Sequence, residues 1–294
     1  MIIPVLKDDA LLSDIRSAGE DQTRFHCWWL GQSGFLIQWR GKHLLFDPYL
    51  SDSLTRKYAT TDKPHVRMTE RVIAPDQLDF INVVTSTHNH TDHLDGETLG
   101  ALFQANPELE IIIPEANREF VAERLGMDPR KPRGVNSGRR VPISGFEIHG
   151  VPAAHEALET DAKGNHRFLG YLVRFGPWTV YHSGDTILFD GLEVLLKRWS
   201  IDLAILPING SLPERRVSGN LWGREAAKLA KDIEAEMVIP CHYEMFDFNT
   251  ESPEEFRETC EALEQPYQVL RAGERWSSPE ASRDEGEALP NEGE

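Results

Sequence analysis

The chain has 294 residues, of which 40% are hydrophobic and 27% are charged, and its formal net charge is −17. This length is enough to bury one large core or two small ones. The negative charge argues against a nucleic acid or an anionic membrane as the partner of the surface as a whole.

The start of the chain lacks the basic segment and apolar run of a secretion signal. No later stretch approaches the apolar length that a membrane span needs. The three cysteines, Cys27, Cys241 and Cys260, are widely spaced, which is typical of reduced thiols in a cytosolic protein. We therefore expect a cytoplasmic protein with no membrane partner.

The first part of the chain predicts a short helix followed by an antiparallel meander. Residues 8–18 form the predicted helix, which Gly19 ends. Residues 25–30, 34–39 and 43–48 are apolar runs of strand length that are separated by turns containing glycine. Such runs are typical of consecutive antiparallel strands.

Two features after the meander each allow two interpretations. Asp47, at a strand end, either holds a loop of the functional site in place or caps a turn before Pro48. Residues 49–79 show no clear periodicity and carry a local excess of basic side chains. Long irregular segments are uncommon in compact domains unless they are functional or disordered. We interpret 49–79 as a flap beside the site, with a solvated surface excursion as the alternative.

The strongest motif is a cluster of polar side chains that follows a predicted buried strand at residues 80–86. It has the form His88-x-His90-x-Asp92-His93, which places four potential metal ligands within six residues. An irregular turn can direct these side chains to two sides, which favours two metal ions over one. Imidazole and carboxylate suit zinc, manganese or iron, and the absence of cysteine argues against a closed structural zinc site.

The rest of the chain alternates between helices and strands, which is typical of an α/β fold. The predicted helices are residues 95–104, 115–125, 188–199 and 224–233, with a last helix that begins near Ser252 and Pro253. The predicted strands are residues 110–114, 145–152, 167–175, 178–182, 202–207, 236–240 and 268–270.

Three further candidate ligands each follow one of these strands. His155 comes after 145–152, Asp185 after 178–182 and His242 after 236–240. Unrelated surface residues would rarely share this context with the cluster at His88, and strand ends are where α/β folds tend to place their chemistry. The sequence therefore predicts one site built from four strand-to-loop junctions.

This ordered set of motifs resembles the metallo-β-lactamase superfamily over residues 28–276. Residues 28–34, 181–185 and 238–242 are similar to the branch that includes L-ascorbate-6-phosphate lactonases. The resemblance implies an α/β (α+β) fold, a four-layer αββα sandwich of two mixed sheets. We expect this hydrolase domain to span residues 1–276, and the acidic segment 277–294 to be a disordered tail because it has few apolar side chains.

The resemblance also implies a dinuclear hydrolase that uses a metal-bound hydroxide, with two divalent ions, zinc first and manganese or iron as alternatives. Asp92 is the implied catalytic proton carrier as well as a ligand. The implied ligand set has three parts. His88, His90 and His155 would hold one ion, and Asp92, His93 and His242 would hold the other. Asp185 would bridge the two ions.

The local concentration of basic residues, together with the resemblance, predicts a small anionic substrate, a phosphorylated sugar lactone or a related ester. Basic residues on two long loops, Arg67, Arg215 and Arg216, are the candidate anion ligands, unless they are solvated or paired with carboxylates. A phosphodiesterase or phospholipase D-like hydrolase is the alternative activity, and a metal-binding module without activity is the non-enzymatic alternative. A homo-oligomer is compatible with the sequence.

Overall fold

Two β-sheets pack face to face, and helices cover their outer faces. The computed structural model describes residues 1–281. The strands are β1 (His26–Gly31), β2 (Gly34–Trp39), β3 (Lys42–Phe46), β4 (Val83–Thr85), β5 (Glu110–Pro114), β6 (Arg133–Val135), β7 (Arg140–Ile143), β8 (Phe146–Pro152), β9 (Leu169–Phe175), β10 (Trp178–His182), β11 (Leu203–Pro207), β12 (Val238–Cys241) and β13 (Arg275–Ser277). The α-helices are α1 (Asp9–Ala18), α2 (Ser53–Tyr58), α3 (Gly96–Ala105), α4 (Arg118–Leu125), α5 (Leu192–Leu196), α6 (Gly223–Asp232) and α7 (Glu254–Ala262).

Both sheets are mixed, as the sequence predicts. The first sheet has seven strands in the order β13-β1-β2-β3-β4-β5-β6, and the second has six in the order β12-β11-β10-β9-β8-β7. The antiparallel meander β1–β3 is confirmed, and β3 to β6 then run parallel. In the second sheet, β10, β11 and β12 are parallel, and β9, β8 and β7 complete it with antiparallel pairings. The αββα sandwich is therefore confirmed.

The inner strands of the first sheet, β1 to β5, are buried on both faces, which explains their largely continuous apolar sequence. Cys27 and Trp29 of β1 belong to the core between the two sheets, whereas Trp28 and Leu30 belong to the core beneath the outer helices. Because successive strand residues point to opposite faces, a sheet covered on both sides needs apolar residues at every position. The Trp28 indole also donates to Asp14 of α1 at 2.8 Å, which attaches this helix to the sheet.

Two predicted elements differ in the structure. The predicted helix 188–199 is reduced to α5 because Gly191, just before it, has a φ of +96°, which helix interiors do not allow. The predicted strand 268–270 does not form: Tyr267 makes only an isolated bridge to Val238, and the last strand is β13. The short strands β6 and β7 and helix α2 have no counterpart among the predicted elements.

The folded part of the chain extends beyond the predicted boundary at residue 276. Ser277 belongs to β13, Ser278 is buried and donates its backbone N–H to Phe25, and the Ala281 N–H donates to Thr23 at 2.8 Å. The remainder of the predicted tail, residues 282–294, lies outside the described residues. Within residues 1–281, every helix is too short or too polar to cross a bilayer.

Candidate metal centre

The loop that follows β4 carries the His88–His93 cluster and is attached to the second sheet. Its first residues make the attachment: the Leu169 N–H donates to the Thr87 carbonyl at 3.1 Å, and the Tyr171 hydroxyl donates to the Ser86 carbonyl at 2.8 Å. At its far end, the Asp95 side chain accepts from the Thr98 N–H and so caps α3. The loop is therefore held at both ends.

The second sheet supplies the other three candidate ligands from its own strand ends. His155 follows β8, Asp185 follows β10 and His242 follows β12, and these three strands run in the same direction. Gly184 allows the close approach of the two sheets here, because its φ is +61° and a Cβ would lie 2.8 Å from the Thr87 Cβ. The four junctions thus meet at one edge of the sandwich.

The first ligand group consists of three histidines, His88, His90 and His155, whose ring nitrogens lie within 4.8 Å of one another. The Nδ1 of His155 donates to the Gly219 carbonyl at 2.9 Å, which leaves its Nε2 as the nitrogen with a free lone pair. The Nε2 of His88 is buried and has no hydrogen-bond partner among the described residues. A buried nitrogen of this kind is costly unless a ligand binds it.

The second ligand group consists of Asp92, His93 and His242, whose ligand atoms also lie within 4.8 Å of one another. Asp185 lies between the two groups: its Oδ1 is 3.2 Å from Nε2 of His93, and its Oδ2 is 3.3 Å from Nε2 of His242 and 3.6 Å from Nε2 of His155. Neither Oδ1 of Asp185 nor Nε2 of His93 satisfies hydrogen-bond geometry, despite their short separation. These atoms converge on shared space, as metal ligands do, and the nitrogen and oxygen donor set fits zinc, manganese or iron.

Asp47 orients this centre from behind, which agrees with the first of its two interpretations. Its carboxylate accepts from the Thr85 hydroxyl at 2.9 Å, the Thr87 N–H at 3.1 Å and Nδ1 of His93 at 2.7 Å. Asp47 also lies near enough to His88 and His93 to form a third possible ligand group. We assign it an orienting role because its oxygens already hold these donors, and a carboxylate behind a ligating histidine fixes the ring.

The electrostatics differ between the two groups. Burial opposes charge on His242, but the carboxylates of Asp185 and Asp92 outweigh burial and raise its pKa to about 9. The same carboxylates raise the pKa of His93 well above its ordinary value. In the first group, burial lowers the pKa of His155 to about 4, so this ring is neutral. Neutral imidazole is the form that binds metal, so ion binding at His93 and His242 must displace protons.

Gln32 is a site residue that the sequence motifs contained without indicating its role. Its side-chain amide donates to Oδ2 of Asp92 at 2.8 Å and lies 3.0 Å from Nε2 of His242. Arg124 is a second such residue, because it donates to the carbonyl of Asn89, within the cluster, and to the carbonyl of Leu94, directly after it. The one sequence signal for a site role of Gln32 is its position in residues 31–34, a turn between two strands. No local sequence signal indicates that Arg124 contacts the cluster.

A pocket of about 860 Å³ opens above the candidate ligands. The flap contributes to its wall, as expected, although it contains helix α2. Three cations reach the pocket: Lys57 from the flap, Arg124 from α4 and Arg216 from the loop before α6. Apolar and aromatic side chains form much of the remaining wall, including Leu54, Tyr58, Phe120, Phe246 and Phe248.

Two of the three predicted anion ligands do not line this pocket. The Arg215 guanidinium is buried and donates to the carbonyls of Asn209 and Thr250 and to the Glu251 carboxylate. Arg67 donates to the Asp52 carboxylate at 2.7 Å and to backbone carbonyls. Because their donors are held by the protein, the predicted substrate-binding role of both residues is corrected to a structural one. Arg216 alone of the three faces the pocket.

The fold and the site define a class, and comparison with known proteins identifies it. The family model described as the beta-lactamase superfamily domain matches residues 42–243. The chain therefore belongs to the metallo-β-lactamase superfamily, among its metal-dependent hydrolases. A relative from Caldivirga maquilingensis, described as a UPF0173 metal-dependent hydrolase, is 30% identical over 236 residues, which cover 80% of this chain and 89% of the relative.

Solved structures show the same fold at lower sequence identity. Igni18, a metallo hydrolase from Ignicoccus hospitalis, has a TM-score of 0.63 and 23% identity, covering 87% of this chain and 99% of its own. The metallo-β-lactamase fold protein YhfI from Bacillus subtilis has a TM-score of 0.61 and 17% identity, with coverage of 87% and 100%. The predicted superfamily and the predicted hydrolase class are thus confirmed, and the non-enzymatic alternative is not favoured.

Proposed function

We propose that this hydrolase is dinuclear and acts on a small anionic substrate, a phosphorylated sugar lactone or a related ester. The observation that carries the proposal is the position of Asp185 between two three-residue ligand groups at the floor of a pocket with a cationic rim. His88, His90 and His155 would hold one ion, and the mixed group would hold the other. When bound, two divalent ions would supply Lewis acidity and a water of lowered pKa.

Asp92 is the residue we propose to carry a proton during hydrolysis. It lines the pocket, and its Oδ2 accepts from the Gln32 amide at 2.8 Å, which fixes the plane of the carboxylate. An ionised Asp92 can take a proton at Oδ1 and return it to the leaving oxygen.

The rim supports an anionic substrate. Arg216 and Lys57 are on the two long loops, and both reach the pocket from exposed positions. The Arg216 guanidinium pairs with Asp62 at 2.9 Å, and both side chains are exposed. Two cations on separate loops suit a phosphate or carboxylate at one end of a substrate whose reactive carbon lies at the floor.

The phosphodiesterase or phospholipase D-like alternative would use the aromatic wall of the same pocket, because Phe120, Phe246 and Phe248 could contact an apolar substituent of the substrate.

A substrate panel separates the lactonase activity from the phosphodiesterase activity. We would compare 6-phosphoglucono-δ-lactone, glucono-δ-lactone, 4-nitrophenyl acetate and bis(4-nitrophenyl) phosphate, and measure the metal content of the same preparation. The proposal expects the highest kcat/KM with the phosphorylated lactone and two ions per chain. A preference for the phosphodiester would refute it.

A further inference from the structure

His65 is a pocket residue that belongs to neither ligand group. It lies on the flap, is half-buried, and lines the wall above the floor together with Tyr58 and Phe248. A phenyl ring could pack at this position equally well, so the imidazole nitrogens are the feature that needs an explanation.

The ring of His65 is held in one orientation by three aromatic neighbours. It stacks on Tyr58 with ring centroids 4.1 Å apart and an interplanar angle of 16°. Phe246 and Phe248 contact it edge-on, with centroid distances of 5.2 Å and 4.5 Å. The Thr55 hydroxyl donates to the His65 carbonyl at 2.8 Å and so fixes the backbone as well. The direction of each ring nitrogen is therefore set before any ligand binds.

The two ring nitrogens of His65 have different surroundings. Nδ1 lies 3.3 Å from the Lys63 carbonyl, which can only accept, so Nδ1 carries the hydrogen and Nε2 carries the lone pair. Among residues 1–281, Nε2 has no hydrogen-bond partner, and it is not one of the fully buried atoms. Burial lowers the pKa of His65 despite the opposing effects of the Lys63 carbonyl and Asp92. The ring thus presents a neutral acceptor at the pocket.

We propose that Nε2 of His65 accepts a hydrogen bond from a substrate hydroxyl and thereby selects hydroxylated anions over apolar ones. Ionised phosphate and carboxylate oxygens cannot donate to this nitrogen, so His65 complements the cations Lys57 and Arg216 and does not duplicate them. The inference rests on the proposed function for the site, and it narrows the substrate class to polyhydroxylated acids and their lactones.

The test uses two ligands that are not turned over. D-gluconate and hexanoate both have six carbons and one carboxylate, but only gluconate carries further hydroxyls. Isothermal titration calorimetry with the full chain would give the Kd of each ligand for the unaltered protein and for His65→Phe and His65→Gln. His65→Phe keeps the aromatic packing and removes the acceptor, whereas His65→Gln keeps an acceptor. His166→Phe is the matched control, a half-buried histidine outside the pocket.

We expect His65→Phe to weaken gluconate binding by about three- to tenfold, the range for one neutral hydrogen bond, without weakening hexanoate binding. His65→Gln should recover part of the loss, and His166→Phe should leave both Kd values unchanged. Equal Kd values for gluconate in the unaltered protein and His65→Phe, loss of both ligands together, or no gluconate binding at all would overturn the inference. Failure to hydrolyse any lactone would refute the proposed function alone.

Discussion

The floor and the rim of the pocket are built differently. At the floor, the candidate ligands follow strand ends, and several are oriented by a second contact, as Asp47 orients His93 and the Gly219 carbonyl orients His155. At the rim, Lys57 is exposed, and Arg216 pairs with Asp62, which is also exposed. The sandwich therefore fixes the positions of the side chains at the floor, while two surface segments carry Lys57 and Arg216 at the rim.

This difference separates the chemistry of the site from its specificity. A side chain packed in the core and bound on two sides keeps its geometry, which is what a metal centre needs. An exposed ion pair contributes little stability, so Arg216 can exchange Asp62 for a substrate anion at small cost. Changes at the floor should abolish activity toward every substrate, whereas changes at the rim should alter the ranking of substrates.

The largest effect is expected for Asp185→Asn. A neutral amide is a poor bridge between two cations, so we expect kcat to fall by about a thousandfold, equivalent to about 4 kcal/mol, with loss of one ion per chain. Elemental analysis and kinetics on the same preparation would measure both. Asp128→Asn is the control, because this carboxylate pairs with Arg130 on the surface. Full activity of Asp185→Asn, or one ion per chain in the unaltered protein at saturation, would contradict the dinuclear proposal.

Gly184→Ala tests whether the close approach of the two sheets maintains the floor. The added Cβ would lie 2.8 Å from the Leu169 carbonyl and from the Thr87 Cβ, at a φ of +61°. We expect a loss of about 3 kcal/mol in the free energy of unfolding, measured with urea. Gly191→Ala is the control: it also has positive φ, but its Cβ would meet nothing within 4 Å, so about 1 kcal/mol is expected. Equal losses would show that packing at Gly184 is unimportant.

Asp47→Asn should weaken metal binding without removing a ligand. An amide in this position cannot serve as a charged acceptor for Nδ1 of His93, so we expect metal affinity to fall about ten- to a hundredfold. Glu147→Gln is a stringent control because Glu147 is also buried, but it contacts His149 and Arg140 and belongs to neither ligand group. This control should reduce stability and leave the metal Kd unchanged. A similar Kd change in both variants would mean that any buried carboxylate has this effect.

The smallest effect is expected at the rim. Arg216→Ala should lower kcat/KM for 6-phosphoglucono-δ-lactone about tenfold and leave glucono-δ-lactone unaffected, because one charge-assisted contact contributes about 1.5 kcal/mol. Arg215→Ala is the matched control: it removes buried bonds to Asn209 and Thr250, so it should lower the unfolding temperature and reduce activity toward both lactones alike. If Arg216→Ala also reduces both by one factor, the rim does not select for phosphate.

The floor was predictable from the sequence to a large extent. The cluster from His88 to His93 is contiguous, and the other candidate ligands each follow an apolar run of strand length, so their residue types and context are local signals. The rim was not predictable, because charge density along a loop does not reveal where a guanidinium points. Arg215 and Arg216 are adjacent in sequence, yet one is buried among carbonyls and the other faces the pocket.

By itself, the sequence determined the order of the main elements and the side chains that could bind metal, because periodicity and strand-end context are carried by neighbouring residues. The sandwich was implied by the resemblance of these motifs to the superfamily. Only the tertiary structure decided that Asp47 and Gln32 contact the ligands and that Arg67 is structural. It also decided that His65 faces the pocket with one nitrogen unpartnered among residues 1–281. Each of these depends on contacts between residues distant in the chain, which no local pattern records.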